Sequence, residues 1–356
     1  ACKCGIAEYT RYLTSALIDL GHDVKIFGEK NANSDAPCDV PYQVCYQRQN
    51  PQSYINLVNA LNEFNPDIVH LQYEWNLHHT DGLFLELAKP RPHFTTWHNV
   101  IPDDKSAFYG KLSDRHIVHN QPCSQMLQSR LGIASKIIPH GTRKNVVTPT
   151  DEAKRKLGID PNRKVISVYG FIVPRKGFHT ILTSLGKMKQ YCPEAYFMVI
   201  GGHHPDGAQF TANYVDLFNR AEEQYSDDVR VTGFMTDESL VDLHLSASDM
   251  IVFPHLGNDN IISASGSVRR VIDSGKLVAV ADILFYSEFT GDMAVRIPKT
   301  ESHITMGRFL GRWLAKSDGN EAMKLRDNLK IYAEDTSWSK VARSHVDYFL
   351  QFLSSR

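Results

Sequence analysis

The sequence predicts an α/β protein of two domains, each a parallel sheet joined by helices, and three observations carry that expectation. At 356 residues the chain exceeds what one hydrophobic core ordinarily organises, so two domains of roughly 150 to 200 residues are expected. Short apolar runs rich in β-branched residues alternate with longer stretches of helical period, as in sheets whose strands are linked by crossover helices. A break at Pro149 to Asp151 divides the series, and Thr150 or Asp151 is placed to cap the helix Glu152–Leu157.

The expected strands, in order, are Val24–Phe27, Ile68–Leu71, Phe94–Trp97, His116–His119, Lys136–Pro139, Val165–Tyr169, Tyr196–Gly201, Val229–Thr232, Met250–Pro254, Leu277–Ala281 and Ala294–Ile297. The first helix shows the logic of the segments between them. Ile6, Tyr9, Leu13, Leu17 and Leu20 fall at three- and four-residue steps, and Gly21 closes the helix as a C-terminal cap. A domain of this kind ordinarily opens on a buried strand, so a first strand is expected ahead of Ala1. After Ile297 the helices His303–Lys316, Glu321–Glu334 and Trp338–Leu353 dominate. The expected domains are residues 1–147 and 148–335, with the last helix, 336–356, returning to the first domain.

Composition excludes several classes. Thirty-nine basic residues against forty acidic ones leave a formal charge of −1, so no overall field draws the chain to nucleic acid or anionic lipid. Duplex binding usually requires a basic face. Any anionic ligand must be held locally. No run of eighteen apolar residues and no charged-then-apolar leader is present, which makes a cytoplasmic protein the expectation. The six cysteines are scattered and read as reduced thiols. Cys2-x-Cys4 lacks a second close Cys/His pair, so no metal site is expected.

Tyr169-Gly-Phe-Ile-Val-Pro-Arg-Lys-Gly-Phe178 follows an apolar strand and precedes the helix Thr180–Lys189. Open α/β sheets bind ligands at such strand ends, and a helix N-terminus adds free N–H groups that favour phosphate. Arg175 and Lys176 add full charges, enough to neutralise a diphosphate without a metal ion. A solvated basic loop is the plainer alternative. Further along, Ser263, Ser265, Gly266 and Ser267 crowd the expected start of a helix that Gly275 ends, where hydroxyls and amides can hold an anion or simply cap. His98 and Glu74 each follow a strand of the first domain; each is either a ligand-facing group or an ordinary packed or solvated residue. His140, before Gly141, has the same two readings, and His203, His204 and His255 receive no role.

These segments resemble glycosyltransferase family 4. Tyr169–Phe178 is similar to the family's donor-phosphate motif, Cys4-Gly5-Ile-Ala-Glu-Tyr-Thr10 to its first loop and helix, Thr95-Thr-Trp-His98-Asn-Val100 to its strand-end histidine motif, and Ile138-Pro-His140-Gly141 to its interdomain motif. The resemblance spans nearly the whole chain and implies the GT-B fold, two Rossmann-like domains with parallel sheets facing across a cleft. It implies Arg175, Lys176 and His98 as catalytic groups. Gly5, Gly233, Phe234, Ser263, Ser265, Gly266, Ser267 and Arg270 are implied on the donor side and His140 on the acceptor side, where the place of Glu74 after the strand Ile68–Leu71 also puts that carboxylate. The chain departs from the family at one place. Many members carry two glutamates eight positions apart where this chain has Ile262 and Arg270, and neither can accept a hydroxyl hydrogen bond as a carboxylate would.

The expected activity is transfer of a sugar from a UDP- or GDP-linked donor to a hydroxyl of a small molecule, a glycan or a lipid-linked acceptor, with retention of anomeric configuration. The last acceptor class would entail peripheral membrane contact. The nucleotide sugar is a substrate and no cofactor is expected. Ile262 and Arg270 motivate an alternative, a GT-B binding or scaffolding protein without catalysis.

Overall fold

The computed structural model describes residues 5–30, 38–47, 50–77, 91–203, 208–257, 262–300 and 302–356. Cys2-x-Cys4 and His204 lie outside the described residues. The chain forms two compact units. Of the described residues, the first unit holds those up to Gly141, residues 262–266 and Thr336–Arg356. The second holds Thr142 to 257, Ser267 to 300 and 302 to Asp335.

In the first unit the strands β1 (Ile26–Glu29) and β2 (Tyr42–Tyr46) pair in parallel. A separate parallel sheet has the order β3-β4-β6-β7, from β3 (Val69–Tyr73), β4 (His93–Trp97), β6 (Arg115–Val118) and β7 (Lys136–Ile137). β4 is buried along its whole length. Its Phe94 packs against Phe349 and Phe352 of the helix Trp338–Leu353, while Trp97 meets Tyr73. The helix Gly5–Asp19 buries Tyr9, Leu13, Ala16 and Leu17, the face its period predicts, against Ala342, Trp338 and Val346 of the C-terminal helix. Gly21 stands at φ +89°, as a left-handed stop requires. A short antiparallel ribbon joins β5 (Asn99–Val100) to Ile262–Ser263, β12 in chain order.

The second unit is one six-stranded parallel sheet of order β10-β9-β8-β11-β13-β14. Its strands are β8 (Lys164–Tyr169), β9 (Ala195–Ile200), β10 (Val229–Val231), β11 (Met250–Phe253), β13 (Leu277–Ala281) and β14 (Val295–Ile297). Alternate side chains feed two cores. Ile166, Val168, Phe197, Val199 and Val252 face the layer containing the helices Phe178–Met188 and His303–Ala315. Val165, Met198, Ile200, Ile251 and Phe253 face the layer containing Glu238–Ala247 and Asn320–Asp335. Burial on both faces explains why these strands read as continuous apolar runs.

Strands β2, β5 and β12 were not legible as strands, because they are short and lack a long apolar run. Two further expectations are corrected. Thr150 and Asp151 do not cap the helix Thr150–Lys156; its N-cap is Pro149, without a side-chain cap, and Thr150 Oγ1 instead accepts from Lys276 Nζ at 2.6 Å. The helix expected from Ser267 to Gly275 is a single turn, Gly266–Arg269, followed by hydrogen-bonded turns. Among the described residues no helix is long and apolar enough to cross a membrane.

Candidate functional site

In the second unit the sheet order places β8, first of its strands in sequence, beside β11, so the chain runs outward in one direction and then in the other. Such a reversal opens a crevice at the strands' C-terminal ends. The loop after β8 carries the basic pair, which the structure treats unequally. Arg175 is exposed, whereas Lys176 is only 5% exposed. The Lys176 ammonium donates to Ser267 Oγ at 3.2 Å. Gly170 makes room for both groups: its φ is +115°, and a Cβ there would fall on Lys176 Nζ and Ser267 Oγ. Immediately afterwards the helix Phe178–Met188 begins without a cap from its Gly177 N-cap, and its first amides are in use: the His179 N–H donates to the Tyr214 hydroxyl at 3.3 Å and the Thr180 N–H to the Gly177 carbonyl at 2.9 Å.

Burial, and secondarily the charge of Arg175, lowers the Lys176 pKa from the ordinary 10.5 to about 7. The consequence for pH has two opposite signs. An anion is held by the ammonium form, so affinity for a nucleotide sugar is expected to fall as pH rises through 7. Fold stability moves the other way: between about 7 and 10.5 the unfolded chain binds the extra proton, so stability rises with pH. Titration calorimetry and melting curves at pH 6, 7, 8 and 9 check both slopes, and parallel slopes would rule the account out.

The remaining donor-side residues are divided between the two units. Phe234, 40% exposed after β10, lies parallel to Phe171 with ring centroids 5.8 Å apart and an interplanar angle of 6°. Sequence reasoning missed Phe171, which is inside the quoted motif but carries no charge. Gly233 has φ +72° and Gly5 opens the first helix; a Cβ at either position would meet nothing within 4 Å. Ser263, Ser265 and Gly266 belong to the first unit, where Ser263 pairs with Asn99 and its carbonyl accepts from Asn120 Nδ2 at 3.3 Å. The helix that follows is a single turn, Gly266–Arg269, so its dipole adds little to what hydroxyls and amides offer there. The Ser267 hydroxyl, of these groups, is the one placed beside Lys176.

Arg270 has a different occupation from the one the motif implied. It is buried and forms an ion pair with buried Asp242 at 2.6 Å, and its Nη1 donates to Asn145 Oδ1 at 2.7 Å. Asp242 in turn accepts from the Val146 N–H at 3.1 Å. The guanidinium therefore fastens the segment after Thr142 to the helix Glu238–Ala247. Ile262 is buried in the first unit's core.

In the first unit, His98 is 7% exposed and both of its ring nitrogens are engaged. Nε2 lies 3.0 Å from Gln72 Oε1, and Nδ1 lies 3.3 Å from His119 Nε2. The line ends where His119 Nδ1 donates to the Ile138 carbonyl at 3.1 Å. A carbonyl only accepts, so that end fixes the His119 tautomer. Tyr9 packs edge-on or tilted against His98, His119 and His140, with centroids 4.6, 5.1 and 5.0 Å away. Among the described residues the buried Tyr9 hydroxyl has no hydrogen-bond partner, and burial drives its pKa far up. His140 donates from Nδ1 to the Gly141 carbonyl at 2.7 Å. Glu74 accepts from Asn99 Nδ2 at 2.6 Å and from the Asn76 N–H at 2.8 Å, which braces its own loop. His119 and Gln72 carried no motif signal, yet both fall at the ends of strands whose neighbours did, and Tyr9, inside the quoted first-helix segment, was read only as part of that helix's packing face.

Comparison with known proteins gives a consistent answer. Residues 4–145 match the Glycosyltransferase Family 4 domain, and residues 149–258 match the domain described as Glycosyl transferases group 1. Among solved structures, a glycosyltransferase from Rickettsia africae superposes with a TM-score of 0.79 at 16% identity, over 99% of this chain and 96% of that one. Sucrose-phosphate synthase from Thermosynechococcus elongatus superposes with a TM-score of 0.73 at 17% identity, over 98% and 93%. HepE from Anabaena, solved in complex with UDP, gives 0.66 at 16% identity, over 89% and 87%. At these identities the likeness establishes the fold. No curated sequence matches the chain.

Proposed function

We take as premise that this chain belongs to the family 4 type of GT-B glycosyltransferases, and we propose that it moves a sugar from a nucleoside-diphosphate donor to an acceptor hydroxyl with retention of anomeric configuration. The observation that carries the proposal is Lys176, a buried ammonium at the sheet's reversal point, hydrogen-bonded to Ser267 in a niche that Gly170 leaves open. In the transition state the bond from the anomeric carbon to the diphosphate breaks, and negative charge collects on the departing oxygen. A fixed cation in a dry site stabilises that charge at no cost of reorganisation, by roughly a few kcal/mol. The acceptor oxygen bonds to the same carbon, and its proton passes to the departing phosphate. Lys176 fills the electrostatic role that a metal ion fills elsewhere. UDP is the first nucleotide to test, because the HepE likeness was solved with it.

The test is a panel of UDP-, GDP-, ADP- and TDP-sugars, read first by thermal shift and then by nucleotide release, with the anomeric configuration of the product read by NMR. Binding of one donor with sugar transfer or slow hydrolysis is expected, and no binding to any donor would remove the proposal. A second reading, binding without catalysis, is favoured by a specific observation: Ile262 is a core residue and Arg270 is tied to Asp242 where many relatives carry carboxylates. Saturable binding with no release of nucleotide would select it.

A further inference from the structure

At the N-terminal edge of the second unit's sheet, opposite the strand ends that precede Lys176, lies a group of charges that no motif marks. Lys164 opens β8, Asp249 stands one residue before β11, and Lys276 stands one residue before β13, three strands that adjoin in the sheet. Met250 pairs with Leu277, so Asp249 and Lys276 occupy neighbouring positions one step earlier. Thr150 and Lys154 come to this edge on the helix Thr150–Lys156, Ser317 and Asp318 after the helix His303–Ala315, and Arg326 on Asn320–Asp335.

The charges there do not balance. Asp249 Oδ2 accepts from Lys154 Nζ at 2.8 Å and from the Val165 N–H at 2.7 Å. Asp318 is paired with Lys164, which also donates to Ser317 Oγ at 3.5 Å. Lys276 is 6% exposed and donates to the Thr150 hydroxyl, a neutral group. Among the described residues Lys276 has no ion-pair partner, and Arg326 has neither an ion pair nor a hydrogen bond. Two cations are left over, near enough for each to feel the other's charge. Burial, joined by the charges of Lys154 and Arg326 and opposed by those of Asp249 and Asp318, lowers the Lys276 pKa from 10.5 to about 8. Buried charges are ordinarily paired, and an apolar side chain would fill the same space without the penalty. Thr150 and Arg326 are half-exposed, so solvent reaches this edge at both.

We propose that Lys276 and Arg326 are the two arms of a second anion site, which takes a tetrahedral dianion, either inorganic phosphate or a phosphate monoester. Two positive charges match such an anion. Thr150 Oγ1 accepts from Lys276 and keeps its own proton to donate to the ligand. The site lies at the edge of the sheet away from Lys176 and does not depend on the role given to that residue.

The test is calorimetric titration of Lys176→Ala, in which the donor site contributes no lysine, with inorganic phosphate and with glycerol phosphate at pH 7.5, ionic strength being held constant with chloride. Saturable binding is expected, and the tighter of the two ligands tells a free phosphate from an esterified one. In the same background Arg326→Gln is expected to weaken binding about tenfold and Lys276→Met to abolish it. Sulfate, divalent throughout, is expected to bind about tenfold more weakly at pH 9 than at pH 7.5, as Lys276 loses its proton. If Lys276→Met fails to fold, Arg326→Gln and the sulfate series decide. No saturable binding in Lys176→Ala, unchanged affinity in Arg326→Gln or in Lys276→Met, or a sulfate affinity level across that pH range overturns the proposal. Phosphate bound by the wild type and not by Lys176→Ala belongs to the donor site, which overturns the second site and leaves the first standing.

Discussion

Lys176→Ala is expected to lower nucleotide-sugar turnover by about 10²- to 10³-fold, the loss typical of removing one preorganised group that stabilises developing negative charge. Lys176→Arg is not expected to restore it. The niche exists only because Gly170 lacks a side chain, Lys176 Nζ and Ser267 Oγ occupy the space its Cβ would take, and a planar guanidinium is both larger and differently shaped. Lys176→Met should separate function from folding. A lysine whose pKa sits near 7 because of burial is held against its solvation preference, so an apolar chain of similar length is expected to raise the melting temperature while activity is lost. Nucleotide release and thermal melting on the same preparations decide the matter. A wild-type rate in Lys176→Ala would remove Lys176 from the reaction, and a lower melting temperature in Lys176→Met would show that the ammonium is structural.

Arg270→Ala is expected to destabilise the second unit by about 3 kcal/mol, because it removes the nearer cation from the buried Asp242 carboxylate and leaves only Arg143, at 4.0 Å, beside it. The double variant Arg270→Met, Asp242→Leu removes both charges and is expected to recover most of that loss. Denaturant titration of the two singles and the double gives the coupling directly. The outcome also bears on the family departure. If Arg270 instead held the donor, Arg270→Ala would melt like the wild type and fail in nucleotide titration.

The fold was legible where physics acts locally and repeatedly. Buried strands such as β9 and β11 must be apolar throughout, and the helix Gly5–Asp19 must place Tyr9, Leu13 and Leu17 on one face, so periodicity alone located them. The edges were less legible. β12 is two residues long and is defined by its partner, Asn99–Val100, more than by its own composition. The one-turn helix Gly266–Arg269 looked longer because the apolar Val268, Val271 and Ile272 fit a helical period, although they reach the same core from turns. In the candidate site, charge drew attention equally to Arg175, Lys176 and Arg270. Burial separates Arg175, in solvent, from the other two, and partners separate those, Lys176 beside Ser267 and Arg270 on Asp242. His119 was invisible because its significance lies in which nitrogen each neighbour occupies, and sequence order does not record that.

The way unit one is assembled from three stretches of chain limits how the gene can be recombined. A fragment ending at Gly141 would lack Ile262–Ser263, leaving β5 an open edge, and would lack Trp338–Leu353, uncovering Leu13 and Leu17 to water. Swapping only the leading stretch with a relative would therefore mate foreign surfaces at both places. A working chimera has to carry all three pieces together, the short ribbon and the last helix included.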